Sequence, residues 1–172
     1  MGFEEQLTGG HPNSLGNTVE VVEQVLQDRA KLAELFACYD SQDEVVRLRT
    51  SSALKRVVKA QPEWFEPYLE PLVYRISRRE QPSTRWSFAE MMLTLEPRLS
   101  ADQKQSATDT MLEYLSTSDD WIVLMRSAIT LSEWCTDRED LRTQLVPLLK
   151  TMSHDSRKSV ANKAHKLLEK IL

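Results

Sequence analysis

From Asn17 onward, apolar residues recur at spacings of three and four, the period of one helix face, and strand-like alternation does not take over anywhere. Val21, Val22, Val25 and Leu26 share a face of a first helix. Leu32, Leu35, Phe36 and Tyr39 share a face of a second, with the junction near Asp28 and Arg29. Val45, Val46, Ala53, Leu54, Val57 and Val58 stripe a third helix that ends near Ala60. Gln61-Pro62 restarts the chain, and Leu69, Leu72, Val73 and Ile76 stripe the next helix. Further helices are predicted from Pro82 to about Glu96, from Ser100, from Asp120 to Cys135, from Thr136 to about His154, and from Asp155 onward.

Polar residues between the stripes mark the helix starts. Ser41-Gln-Asp-Glu44, Ser100-Ala-Asp-Gln103 and Thr136-Asp-Arg-Glu139 all have the capping-box pattern, in which a hydroxyl and a carboxylate or amide satisfy two orphan N–H groups reciprocally. Pro82 suits a first turn, and Asp119 and Asp120 place negative charge at a helix N-terminus. Residues 1–16 carry no periodicity and gather glycines. They read as a flexible lead-in, loosely attached to a single domain spanning 17–172.

The stripes also keep step over long range. Leu35-Phe36, Leu72-Val73, Met111-Leu112 and Leu148-Leu149 recur at a period of about 37–39 residues, and Pro71 and Pro147 share one column. A second column holds Ala53-Leu54, Met91-Met92 and Thr130-Leu131. One amphipathic helix cannot bury its stripe alone, so two columns in step predict an all-α stack of about four helical hairpins.

Within that pattern, Val46-Arg47-x-x-Thr50-x-x-Ala53-Leu54 behind Asp43 resembles the first helix of a HEAT repeat, where V-R-x-x-A-x-x-A-L follows an acidic start. Thr50 stands where alanine is usual, and later copies keep only Arg85 with Phe88 or lose the arginine. The resemblance implies an α-α superhelix whose second helices line a concave, partner-binding surface.

Composition narrows the function by exclusion. A net charge of −4 argues against a general polyanion binder. Cys38 and Cys135 lie in separate helices with no cysteine or histidine close by in sequence. They read as buried hydrophobes in a reducing compartment rather than a disulfide or a reactive thiol. No apolar run reaches the ~18 residues of a membrane span. The Met1-Gly2 start lacks the Ser or Thr that myristoylation wants at position 6, where Gln stands. The expectation is a soluble, cytoplasmic protein without cofactor or metal.

Candidate chemistry is sparse. His11, His154 and His165 are isolated, and His154 reads as a helix-end residue rather than a ligand or base. Acids at Asp119-Asp120 and Asp137 to Asp140 sit where capping explains them. Trp64, Trp86, Trp121 and Trp134 read as interhelical packing. The stretch Trp121 to Arg126 is similar to the Trp/Arg helix of HEAT-like DNA-alkylation glycosylases, but with a different spacing and no acid matching the catalytic Asp. That similarity keeps nucleic-acid binding, with or without base excision, as an alternative, together with the arginines Arg75, Arg78, Arg79 and Arg85 and the C-terminal lysines Lys163, Lys166 and Lys170.

Residues 100–154 lean acidic and 155–172 lean basic, with Lys163, Lys166 and Lys170 along one flank of the final helix. That flank reads either as a solvated face or as a ridge for an acidic partner. The superhelix resemblance nominates the outward residues of the second helices, namely Tyr74 and Arg78, then Glu113, then Lys150 and His154. The resulting expectation is a non-enzymatic scaffold or adaptor for a protein or peptide.

Overall fold

The structure is a computed structural model describing all residues, 1–172. α-Helices and 3-10 turns together take up 79 % of the chain and no residue lies in a strand, so the class is all-α. The helices are α1 Phe3–Leu7, α2 Thr18–Gln27, α3 Leu32–Ala37, α4 Glu44–Ala60, α5 Leu69–Tyr74, α6 Pro82–Leu95, α7 Ala101–Thr117, α8 Trp121–Trp134, α9 Glu139–Met152 and α10 Lys158–Ile171. Short 3-10 turns punctuate the first half, the longest spanning Pro62–Tyr68. Where the sequence reading expected one domain from 17 to 172, the chain forms two compact units, Met1–Arg98 and Leu99–Leu172. The division follows a helix end: Pro97 lies in the 3-10 turn that closes α6.

In the N-terminal unit, α4 lies directly against α2 on one side and α6 on the other. Val46, Ala53, Leu54, Val57 and Val58 of α4 are all buried, as are Leu69, Leu72, Val73 and Ile76 of the following segment. Phe36 meets Tyr39 edge-on and Tyr68 at a tilt, with ring centroids 5.6 and 4.7 Å apart, and Phe65 completes the cluster. Such pairs add roughly 0.5–1.5 kcal/mol each beyond their buried area. Arg47 ties this hairpin to the next one. Its Nε donates to Gln81 Oε1 at 2.7 Å and its Nη1 to the Ser41 carbonyl at 2.7 Å, while the Gln81 amide returns a bond to the Glu44 carbonyl.

Residues 1–16 correct the expectation of a loose lead-in. Phe3 and Leu7 of α1 are buried, and the Phe3 N–H donates to the Glu34 carboxylate at 2.7 Å. The larger cause is Arg49, which is 2 % exposed. Its guanidinium donates to four backbone carbonyls of this segment: Leu7 at 2.7 Å, Gly9 at 2.6 Å, His11 at 3.2 Å and Ser14 at 3.2 Å. Gly16 closes the strap at φ +51°, and a Cβ there would stand 2.9 Å from the guanidinium carbon, so only glycine fits. One buried cation thus organises sixteen otherwise unpatterned residues.

In the C-terminal unit, α7 lies on α8, and α10 packs against both α8 and α9. Val123, Leu124, Ala128 and Leu131 of α8, Leu141, Leu145 and Leu149 of α9, and Val160, Ala164, Leu167, Leu168 and Ile171 of α10 form its core. Arg157 belts the start of α10 by clasping Asp155 and donating to the Asp119 carbonyl at 2.6 Å.

The capping expectations divide. Ser100 and Gln103 form the reciprocal box, Pro82 occupies the first turn of α6, and Asp120 accepts from the Ile122 and Val123 N–H groups. At α4 the cap is Asp43 instead of Ser41. Asp43 accepts from the Val45 N–H, and Ser41 accepts from the Asp43 N–H one step earlier. At α9 the cap position is Arg138, which makes no side-chain capping bond, and the Thr136 hydroxyl donates back to the Glu133 carbonyl. Leu26, placed on the inward face of α2 by its spacing, is 38 % exposed near the helix end.

Candidate functional site

The nominated outward residues of the second helices are solvent-facing, within each unit. Tyr74 ends α5 and is 48 % exposed, with Arg78 exposed in the 3-10 turn that follows. Glu113 is exposed on α7, where its carbonyl accepts from the Thr117 hydroxyl. Lys150 and His154 are exposed at the end of α9. Nδ1 of His154 lies 2.8 Å from the Lys150 carbonyl, the helix-end role expected of it.

The arginines of the nucleic-acid alternative are largely engaged within the unit. Arg75 and Arg79 both donate to Asp40 Oδ1, at 2.5 and 2.8 Å, and Arg85 Nε donates to the Arg79 carbonyl at 2.9 Å. The Asp40 pairs are half exposed, so each contributes at most about 1 kcal/mol. Their consequence is electrostatic: one carboxylate answers two cations that a phosphate would need.

On α10 the three flank lysines separate. Lys170 pairs with Glu133 of α8. Lys163 and Lys166 enter no ion pair, and Lys163 is half-buried at the edge of a cleft. That cleft, about 360 Å³, is lined by Trp121, Ile122, Met125, Arg126, Ile129 and Lys163. Trp121 is 47 % exposed, which corrects the reading of all four tryptophans as interhelical packing. Trp134 does fit that reading: it is buried with the Lys104 ammonium 5.4 Å from its ring centroid. Trp64 carries the Arg29 guanidinium at 5.9 Å.

A second cleft, about 260 Å³, lies in the N-terminal unit between strap and helices. Pro12, Asn13, Ser14 and Leu15 line it together with Leu48, Arg49 and Ser52 of α4 and Trp86 of α6. Further along the same helices, Lys55 and Lys59 share Glu90, at 3.2 and 3.3 Å, and Arg56 lies beside them, so cations outnumber carboxylates on that surface.

Neither thiol is set up as a nucleophile. Burial, then the nearby carboxylates Glu4 and Glu34, pushes Cys38 up to about 11, and burial also raises Cys135. Both cysteines are free and buried. The hydrogen bonds from Arg157 hold Asp155 down to about 2, and the Val45 N–H holds Asp43 below the usual carboxylate range. These shifts belong to turns and caps, not to an acid/base pair in a cavity. No three His, Cys, Asp or Glu side chains converge closely enough to hold a metal ion, and no helix is long and apolar enough to cross a membrane.

Fold and surfaces together define an all-α protein of paired helices whose outward faces differ in chemistry from one unit to the other. No protein family, curated protein or solved structure matches the chain.

The Trp121 cleft was missed by sequence reasoning, although a signal for it is present. Trp121, Met125 and Ile129 recur every four residues on α8, on a different face from Val123, Leu124, Ala128 and Leu131. A helix with two apolar faces has one more than its own core needs.

Proposed function

We propose that the chain is a HEAT-like, non-enzymatic interaction module of the cytoplasm that binds a protein or peptide segment on the outward faces of its helical hairpins. The observation that carries this reading is Tyr74, a large aromatic left half in solvent at the end of α5 with Arg78 one turn on. Aromatic residues and arginine are the types that dominate binding energy at protein interfaces. The recurring columns support the repeat reading. Leu35-Phe36, Leu72-Val73, Ala53-Leu54, Met91-Met92 and Thr130-Leu131 are buried, as are Met111 and Leu149, while Leu112 and Leu148 are half-buried.

The test is affinity capture from native lysate with and without nuclease, then titration of the captured protein against alanine variants of Tyr74, Arg78 and Lys150. A discrete partner that survives nuclease and binds one or more of these variants several-fold more weakly supports the reading. Unchanged affinity across all three variants counts against the Tyr74 strip.

A second reading, nucleic-acid binding, is favoured by one observation, the Trp121 ring beside Arg126 and Lys163. It predicts duplex binding that falls steeply between about 50 and 200 mM salt.

A further inference from the structure

We propose that the cleft between α8 and α10 is a docking seat for an acidic peptide segment that inserts one large apolar side chain beside Trp121. The proposal rests on the protein-interaction reading above and gives it a site and a partner chemistry.

α8 supplies the apolar side of the cleft. Trp121 stands at the first position of the helix, half exposed, and Ile122, Met125 and Ile129 continue the cleft behind it. None of these four side chains is fully buried, whereas the opposite face of α8 supplies the core. Half-covered Trp and Met next to a cleft this size form the kind of pocket into which a partner's anchor residue packs.

The charged half comes from α10. Lys163 lines the cleft and Lys166 follows one turn later, neither answered by a carboxylate. A partner that places Asp or Glu beside its anchor meets both lysines, which steers approach and selects orientation.

The N-terminal unit shows that irregular peptide can occupy a helix face of this protein: Pro12 to Leu15 lie beside Leu48, Ser52 and Trp86. A phosphate backbone fits the α8–α10 cleft less well. Its floor is apolar and only two unanswered cations flank it, too few to track a run of phosphates.

The experiment is selection of a displayed random-peptide library on the full chain. Enriched peptides are then re-measured on Trp121→Ala, Lys163→Glu and Tyr74→Ala, and challenged with a single-stranded oligonucleotide. Expected are peptides with Asp or Glu beside a bulky apolar residue. Their affinity falls tenfold or more (an approximate figure) on Trp121→Ala and by about threefold to tenfold on Lys163→Glu, while Tyr74→Ala leaves them unchanged. Peptides that lose binding on Tyr74→Ala and keep it on Trp121→Ala overturn this site but leave the interaction reading standing. Basic or uncharged winners, or displacement by the oligonucleotide, overturn the partner chemistry. A library that yields no enrichment on the wild-type chain overturns both.

Discussion

In the N-terminal unit, the side of α4 that carries Arg49 is roofed by residues 7–16, and the guanidinium holds that roof by four carbonyls. In the C-terminal unit, the outward side of α8 carries Trp121 half in solvent and two lysines on α10 without partners. Both units start from amphipathic helices with a buried stripe, yet one covers the Arg49 side of its central helix with its own chain and the other leaves the Trp121 side of α8 open. The difference teaches that a polar residue inside a stripe and an apolar residue outside one are the informative departures from periodicity. The first recruits a segment of the chain, and the second leaves room for something else.

The comparison breaks most visibly if Arg49 is removed. Arg49→Ala deletes four charge-assisted hydrogen bonds, one of them to the buried Leu7 carbonyl, at a cost of about 2–4 kcal/mol. Chemical denaturation should register that loss, and limited proteolysis should open residues 9–16. A strap that stays resistant to protease in the variant would deny Arg49 its role.

A pH titration reaches the same unit by another route. Burial pushes Tyr39 up to about 12 and Cys38 up to about 11, each above its unfolded value. Both groups are neutral when protonated, so the unfolded chain releases these protons first. The stability they hold is complete below pH 9 and falls as pH rises from about 9 to 12, by roughly 2–3 kcal/mol for Tyr39. Tyr39→Phe should flatten that alkaline fall in a series of urea melts, even though it removes the contact with the Ser51 hydroxyl.

Gly16→Ala sharpens the strap argument with a single methyl group. The left-handed backbone and the 2.9 Å approach to Arg49 together cost about 1–3 kcal/mol, visible as a lowered thermal midpoint. The smallest stability effect belongs to the open unit. Trp121→Ala should change stability by about 0.5 kcal/mol or less, because a half-exposed residue at a first helical turn contributes little to a core. A much larger loss would place Trp121 in the fold rather than on a docking surface.

Much of the helical layout was legible because burial follows a period. Leu69, Leu72, Val73 and Ile76, and the five apolar positions of α10, fall where the three-and-four spacing puts them. Helix starts were less legible where two side chains competed for the same donors: Asp43 lies nearer the first turn than Ser41 and took the cap. Arg49 was legible in principle. It lies three residues after Val46 and four before Ala53, on the inward face of α4, and an arginine there must find acceptors. What periodicity could not supply was their source, since backbone carbonyls of a glycine-rich segment leave no trace in side-chain pattern. Among the candidate site residues, exposure of Tyr74, Lys150 and His154 follows from register, but juxtaposition of Trp121 with Lys163 requires α8 and α10 to be neighbours. That is a tertiary fact, and no local spacing encodes it.

Hydroxyl-radical footprinting of the full chain, resolved by peptide mass spectrometry, tests the contrast between the closed and open faces most directly. Trp121 should label rapidly and Phe3 and Leu7 slowly, and in Arg49→Ala Phe3 and Leu7 should label faster with Trp121 unchanged. Slow labelling of Trp121 in the wild-type chain, or fast labelling of Phe3 and Leu7 there, would contradict that contrast.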